Sequence, residues 1–133
     1  MAAILIVDDS AVSRRMLAFV LKNHGYTVGT AVNGRDALEH LDRQAFDLII
    51  ADLSMPEMDG ITLLKHIRAA VRTRDLPFIM LTASGVDRDR VAARAEGADG
   101  FLTKPSSSWE LLETVKQMLE SRAGENAGAQ EEA

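Results

Sequence analysis

The chain has 133 residues, 47% hydrophobic and 26% charged, the balance of one folded domain rather than of two ordinary domains or a disordered segment. Its formal net charge of −5 argues against a dedicated nucleic-acid binder, which carries a basic face. With no cysteine, no apolar run near the ~18–20 residues of a membrane span and no basic leader at its start, it is expected to be cytoplasmic, without disulfides, thiolate metal sites or membrane insertion.

Short apolar runs alternate with stretches of helical period. Ile4-Leu5-Ile6-Val7 reads as a first strand, and Ser10 then caps a helix to about His24 with Met16, Leu17, Val20 and Leu21 at core spacing. Gly25 stops that helix, and Tyr26 to Ala31 reads as a second strand. Asn33 caps a helix carrying Ala37, Leu38 and Leu41. Leu48-Ile49-Ile50-Ala51 is almost wholly apolar, as a strand buried on both faces should be. A loop from Met55 to Gly60 leads to a helix through Leu63, Leu64, Ile67 and Val71.

Pro77 opens a fourth strand, Phe78 to Leu81. Val86 to Glu96 reads as a helix ending at Gly97, and Phe101 to Thr103 as a short fifth strand. Ser107 and Glu110 have capping-box spacing for a last helix to about Ser121, with Leu111, Leu112, Val115, Met118 and Leu119 on its core face. Five βα units in a row imply an α/β fold, a parallel sheet covered on both faces by right-handed crossovers. Residues 1–121 form that domain, and 122–133, rich in Ala, Glu, Gly and Gln, read as a disordered acidic tail.

Ligands of open α/β sheets bind beyond the carboxyl ends of the strands. Asp8-Asp9, Asp52, Thr82 and Lys104 stand at those ends here. Two carboxylates ~4 Å apart repel by ~4 kcal/mol at an effective dielectric of ~20, so three together need raised pKa values or a cation. An oxygen-rich set of this kind suits Mg²⁺. A carboxylate beside that ion can attack a phosphoryl group, with an ammonium and a hydroxyl offsetting charge on the phosphoryl oxygens.

Asp8-Asp9, Asp52 with Met55-Pro56-Glu57-Met58-Asp59-Gly60, Thr82-Ala83 and Lys104-Pro105 together resemble the receiver domain of two-component response regulators, over roughly residues 3 to 121. The resemblance implies a flavodoxin-like, doubly wound five-stranded sheet of order 2-1-3-4-5. It makes Asp52 the phosphoacceptor, with Asp9, Asp52 and the Ser54 backbone carbonyl on Mg²⁺ and Asp8 reaching the ion through water. Thr82 senses the phosphoryl group, Lys104 pairs with it, Phe101 is the aromatic switch, and Pro105 follows a cis peptide bond in the active-site loop. Ser54 and Ser84 fall where the family tunes phosphoryl lifetime.

The implied partners are a histidine kinase or histidine phosphotransfer protein and a downstream protein target, met through the face of the fourth helix, fifth strand and fifth helix. The implied state is a monomer or a phosphorylation-dependent dimer. A stand-alone signalling domain of chemotaxis or phosphorelay type is expected, not an enzyme with a separate substrate. One alternative is the receiver portion of a larger regulator with an effector domain. Another is an aspartate-nucleophile phosphatase, which resembles an Asp-x-Asp pair on the first strand where this chain has adjacent Asp8-Asp9.

Plainer roles are expected elsewhere. His24, His40 and His66 read as surface residues, and Pro56 and Gly60 as turn formers. Trp109 either packs over the start of the last helix or meets a partner. Val12 and Phe19 either seal against that helix or form a docking ridge. Arg90 and Arg94 face Glu110 and Glu113 if the fourth and fifth helices are neighbours, and are otherwise solvated.

Overall fold

The computed structural model describes residues 2–83 and 87–132, excepting the side chains of Asp87 and residues 122–132. The elements run β1 (Ala3–Val7), α1 (Ala11–Asn23), β2 (Thr27–Ala31), α2 (Gly34–Arg43), β3 (Leu48–Asp52), α3 (Gly60–Ala69), β4 (Phe78–Thr82), α4 (Asp87–Ala95), β5 (Gly100–Thr103) and α5 (Ser108–Glu132). All strand pairs are parallel and the order is β2-β1-β3-β4-β5, the doubly wound arrangement that the resemblance implies.

Side chains alternate across a strand, so each strand feeds two cores. Leu5, Val7, Ile49, Ala51, Phe78 and Met80 pack with Leu41, Leu63, Leu64 and Ile67 on the side of α2, α3 and α4. Ile4, Ile6, Leu48, Ile50, Ile79, Leu81 and Leu102 pack with Leu17, Leu21, Leu111 and Val115 on the side of α1 and α5. Every residue of β3 is buried, which explains its unbroken apolar run before Asp52.

The caps follow local chemistry. Ser10, Asn33 and Asp59 accept from the amides of Ser13, Asp36 and Thr62 at the starts of α1, α2 and α3. Gly25 at φ 90° closes α1 as Gly97 at φ 108° closes α4, because the carbonyls left over at a helix end need a residue in the left-handed region. At the amino-terminal end of β4 and β5, Arg68 donates to the carbonyls of Gly97, Arg74 and Leu76 and to Asp99 Oδ2, while Asp99 also accepts from the Phe78 amide.

Four expectations need correcting. Met16 is 65% exposed and the smaller Ala18 takes the buried place, because α1 is apolar nearly all round and its period does not single out one face. Tyr26 precedes β2, its amide closing α1 on the Leu21 carbonyl. Val71 is exposed beyond the end of α3, which stops at Ala69. The last helix, expected to end near Ser121, continues to Glu132, in keeping with the many strong helix formers there. Ser84 and the expected helix start at Val86 lie outside the described residues. Among the described residues, no helix is long and apolar enough to cross a membrane.

Candidate functional site

The strand register builds the site. Val7 lies opposite Ala51 and Asp52 opposite Leu81, so Asp8 and Asp52 sit side by side one step past the apolar runs. Both continue the face of Ile6 and Ile50, toward α1 and α5. Lys104, two residues after Leu102, has the same parity. Asp8 is fully buried and Asp52 is 6% exposed, while Asp9 is exposed at the rim.

The side chains converge tightly. Carboxylate oxygens of Asp8, Asp9 and Asp52 all lie within 4.8 Å of one another. Lys104 Nζ donates to Asp52 Oδ2 at 2.8 Å and forms an ion pair with Asp8 Oδ2, also at 2.8 Å. The Ser10 amide donates to Asp8 Oδ1 at 2.9 Å and the Ser54 amide to Asp52 Oδ1 at 3.1 Å. The Lys104–Pro105 peptide is cis, and the Lys104 amide donates to the Thr82 carbonyl at 2.7 Å.

Burial pushes the Asp52 carboxyl above the usual carboxylate range, and the Asp8 charge adds to this against the opposing pull of Lys104 and the Ser54 amide. For Asp8 burial also pushes upward, but Lys104, the Ser13 hydroxyl and the Ser10 amide together outweigh it and the carboxyl lies low. Burial alone would lower the Lys104 ammonium; its bonds to Asp52 and Asp8 raise it instead. Three carboxyl groups thus gather around the Lys104 ammonium. Asp8 Oδ2 is buried with the Lys104 ammonium as its close partner, and the gathered carboxylate oxygens of Asp8, Asp9 and Asp52 are the hard donors that a divalent cation and its water take.

The family model for the response regulator receiver domain matches residues 4–116, most of the chain. The chain belongs to the response regulator receiver family. The receiver is 38% identical to the chemotaxis response regulator CheY4 of Vibrio cholerae, with a TM-score of 0.86 over 90% of this chain and 99% of that one. NtrX of Brucella abortus superposes at a TM-score of 0.90 with 28% identity, over 96% of this chain but 29% of its own. The phosphate regulon transcriptional regulatory protein PhoB of Escherichia coli K12 is 39% identical over 87% of this chain and 51% of its own length. An uncharacterised 14.6 kDa protein of Leptolyngbya boryana is 40% identical, over 86% of this chain and 87% of its own. The receiver thus spans about half of PhoB and nearly all of CheY4.

Thr82 and Phe101 belong to the other face of the receiver. Thr82 pairs with Thr103, Met80 with Phe101, and Phe101 packs half-buried on the core beneath α3 and α4. Arg90 and Arg94 are neither paired with Glu110 or Glu113 nor simply solvated: their guanidinium carbons lie 5.8 and 5.3 Å from the centroid of the Phe101 ring. Trp109 does not pack over the start of α5; it is 71% exposed. Val12 and Phe19 are likewise exposed rather than sealed against α5.

One supporting residue escaped the sequence reading, and another was read only as a turn former. Arg14 Nη1 donates to the Asp8 carbonyl at 2.8 Å, bracing the turn after β1. Gly60 is the first residue of α3 rather than a free turn, and a Cβ there would stand 2.6 Å from the Asp52 carbonyl oxygen. An arginine six residues past Asp8 and a glycine eight past Asp52 are visible signals, but neither shows its purpose until the backbones meet.

Proposed function

We propose that this receiver is phosphorylated on Asp52 with Mg²⁺ bound, and that the phosphoryl group switches its affinity for a protein partner. The observation that carries this reading is the gathering of Asp8, Asp9 and Asp52 within 4.8 Å under the Lys104 ammonium. Asp9, Asp52 and the Ser54 carbonyl would hold Mg²⁺, with Asp8 reaching it through water. When bound, the ion would neutralise charge that develops on the phosphoryl oxygens.

The chain's own groups supply the rest. An Asp52 carboxylate oxygen attacks the phosphorus of a phosphohistidine, forming a P–O bond as the P–N bond breaks. The released electron pair goes to the imidazole nitrogen, which takes up a proton. Lys104, 2.8 Å from Asp52 Oδ2, is placed to pair with the transferred group. The Thr82 hydroxyl donates to one of its oxygens, and Phe101 moves into the space that Thr82 leaves. Two positions of these side chains within a few kcal/mol suffice, since occupancy shifts populations by differential affinity.

The donor is a histidine kinase or phosphotransfer protein. A groove of about 400 Å³ lined by Val12, Met16, Leu17, Pro105 and Leu111 opens beside Lys104 and offers that donor an apolar surface. Output runs through α4, β5 and α5 to a protein target, in a monomer or a phosphorylation-dependent dimer. Residues 1–121 act as the switching unit in the cytoplasm, apart from the 122–133 tail. The likeness to the chemotaxis response regulator CheY4 favours a stand-alone role of chemotaxis or phosphorelay type as the first reading of its output. The greater length of PhoB and NtrX favours a second reading, in which the same domain drives an attached effector.

Acetyl phosphate with Mg²⁺ should label the wild type on Asp52 and leave Asp52→Asn unlabelled. Asp9→Ala should lose both Mg²⁺ binding and labelling. Equal labelling of Asp52→Asn, or undiminished labelling without a divalent ion, would remove the basis of the reading.

A further inference from the structure

We infer that Arg90 and Arg94 are positioning residues that hold the Phe101 ring from α4 and thereby set how readily occupancy of Asp52 reaches the α4–β5–α5 face. The inference rests on the reading of Asp52 as phosphoacceptor and names what regulates its output.

Arg90 and Arg94 are four residues apart on α4, so both side chains leave the same face of the helix. Two guanidiniums repel each other, yet both lie within 6 Å of one ring centroid, where the negative face of an aromatic ring attracts cations. Glu110 and Glu113 border the same cavity as Arg90 and offer opposite charge, but among the described residues no ion pair joins them to either arginine. Among the described residues Arg90 Nε is buried without a hydrogen-bond partner, a cost that other contacts of the side chain must offset.

Among the described residues, those contacts are the ring and one hydroxyl. Arg90 Nη2 donates to Thr103 Oγ1 at 3.0 Å. Thr103 pairs with Thr82 across the sheet and directly precedes Lys104. Arg90 therefore touches the aromatic residue and, at the same time, the end of the strand that delivers the lysine to Asp52. The ring position seen under the guanidiniums accompanies Lys104 bonded to the Asp52 carboxylate. Any inward movement of Phe101 must first break its contacts with both cations. Holding the ring at one side and occupying Asp52 at the other are then opposed, and the opposition is reciprocal: releasing the ring must tighten the site.

The test uses the full chain, Mg²⁺ and beryllofluoride as the phosphoryl mimic. Ring-¹³C phenylalanine NMR follows Phe101, assigned among the four phenylalanines by Phe101→Leu. In the pair R90M/R94M, without beryllofluoride, the Phe101 ring signals should shift toward those of the occupied wild type. Beryllofluoride should bind about tenfold more tightly, the scale of two modest cation–ring contacts. The pair R90K/R94K keeps the charge and should lie closer to wild type on both readouts. Ring signals and affinity unchanged in R90M/R94M would overturn the inference, as would a lysine pair indistinguishable from the methionine pair. A wild type that binds no beryllofluoride would instead overturn the Asp52 reading, while the ring spectra of the variants without the mimic still decide whether the arginines hold Phe101.

Discussion

Replacing Gly60 by alanine should damage the fold and the site together. The new Cβ would lie 2.6 Å from the Asp52 carbonyl oxygen, 2.7 Å from Met80 Sδ and 2.9 Å from Leu53 Cα. The Met80 thioether can swing aside, but the other two atoms are backbone, and the Gly60 amide already ties α3 to the Leu53 carbonyl at 2.9 Å. Overpacking costs about 1–3 kcal/mol, and a backbone obstacle puts this site at the upper end. Alanine returns less than about 1 kcal/mol of helix propensity, leaving a net loss of about 2 kcal/mol. With an unfolding entropy of about 2.1 cal/mol/K per residue, that is a fall of roughly 7 °C in Tm. Gly100→Ala is the matched control, since its Cβ would meet nothing nearer than 3.6 Å. Thermal melts by circular dichroism read the stability, and labelling by acetyl phosphate with Mg²⁺ reads the site, which should slow in Gly60→Ala because Asp52 is pushed. A Gly60→Ala protein melting within about 2 °C of wild type, or above Gly100→Ala, would refute the contact argument.

Three further outcomes are expected. Arg68→Met keeps the apolar stem but strips donors from the Gly97 and Leu76 carbonyls, so denaturant melts should show a loss of about 2–3 kcal/mol. Asp52→Asn, without divalent metal, should melt above wild type at pH 7. The Asp52 carboxyl lies above its usual 3.8, so its protonated form favours the fold, and that stability is lost as pH rises through the folded pKa. The gap between the two proteins should therefore close on acidification, and Mg²⁺ should raise the melting point of wild type alone. A chain ended after Ser121 should unfold within about 0.5 kcal/mol of the full chain, because Leu119 is the last partly buried apolar residue among those described.

The sheet was legible because two simple periods governed it. In the structure, the alternation of side chains along Ile4 to Val7 and Leu48 to Ala51 sets Asp8 and Asp52 on one face, and the motif pieces in chain order carried the resemblance to the receiver family that named them. Helix faces were harder. In α1, Val12, Met16, Leu17, Phe19, Val20 and Leu21 leave too little polar contrast to distinguish buried Ala18 from exposed Met16. Arg68 reaches partners up to 31 residues away, and nothing local marks an arginine as the junction of three backbone segments. The contacts of Arg90 and Arg94 with Phe101 depend on where α4 settles on the sheet, which no period within α4 records.

The Arg68 junction gives the sheet a fixed end and a working end. It fastens α3 to the segments entering β4 and β5, while the far ends of the same strands carry Thr82, Thr103 and Lys104. Such a strand pair behaves as a cantilever, clamped at its root and bearing its load at the tip. Strain introduced at Asp52 cannot dissipate by sliding the two strands along each other, because the clamp holds their register. It has to emerge as deflection at the tips, where α4 and the start of α5 are attached. Under the proposed switching, a small rearrangement of oxygens at the Asp52 carboxylate would be felt as movement at those tips.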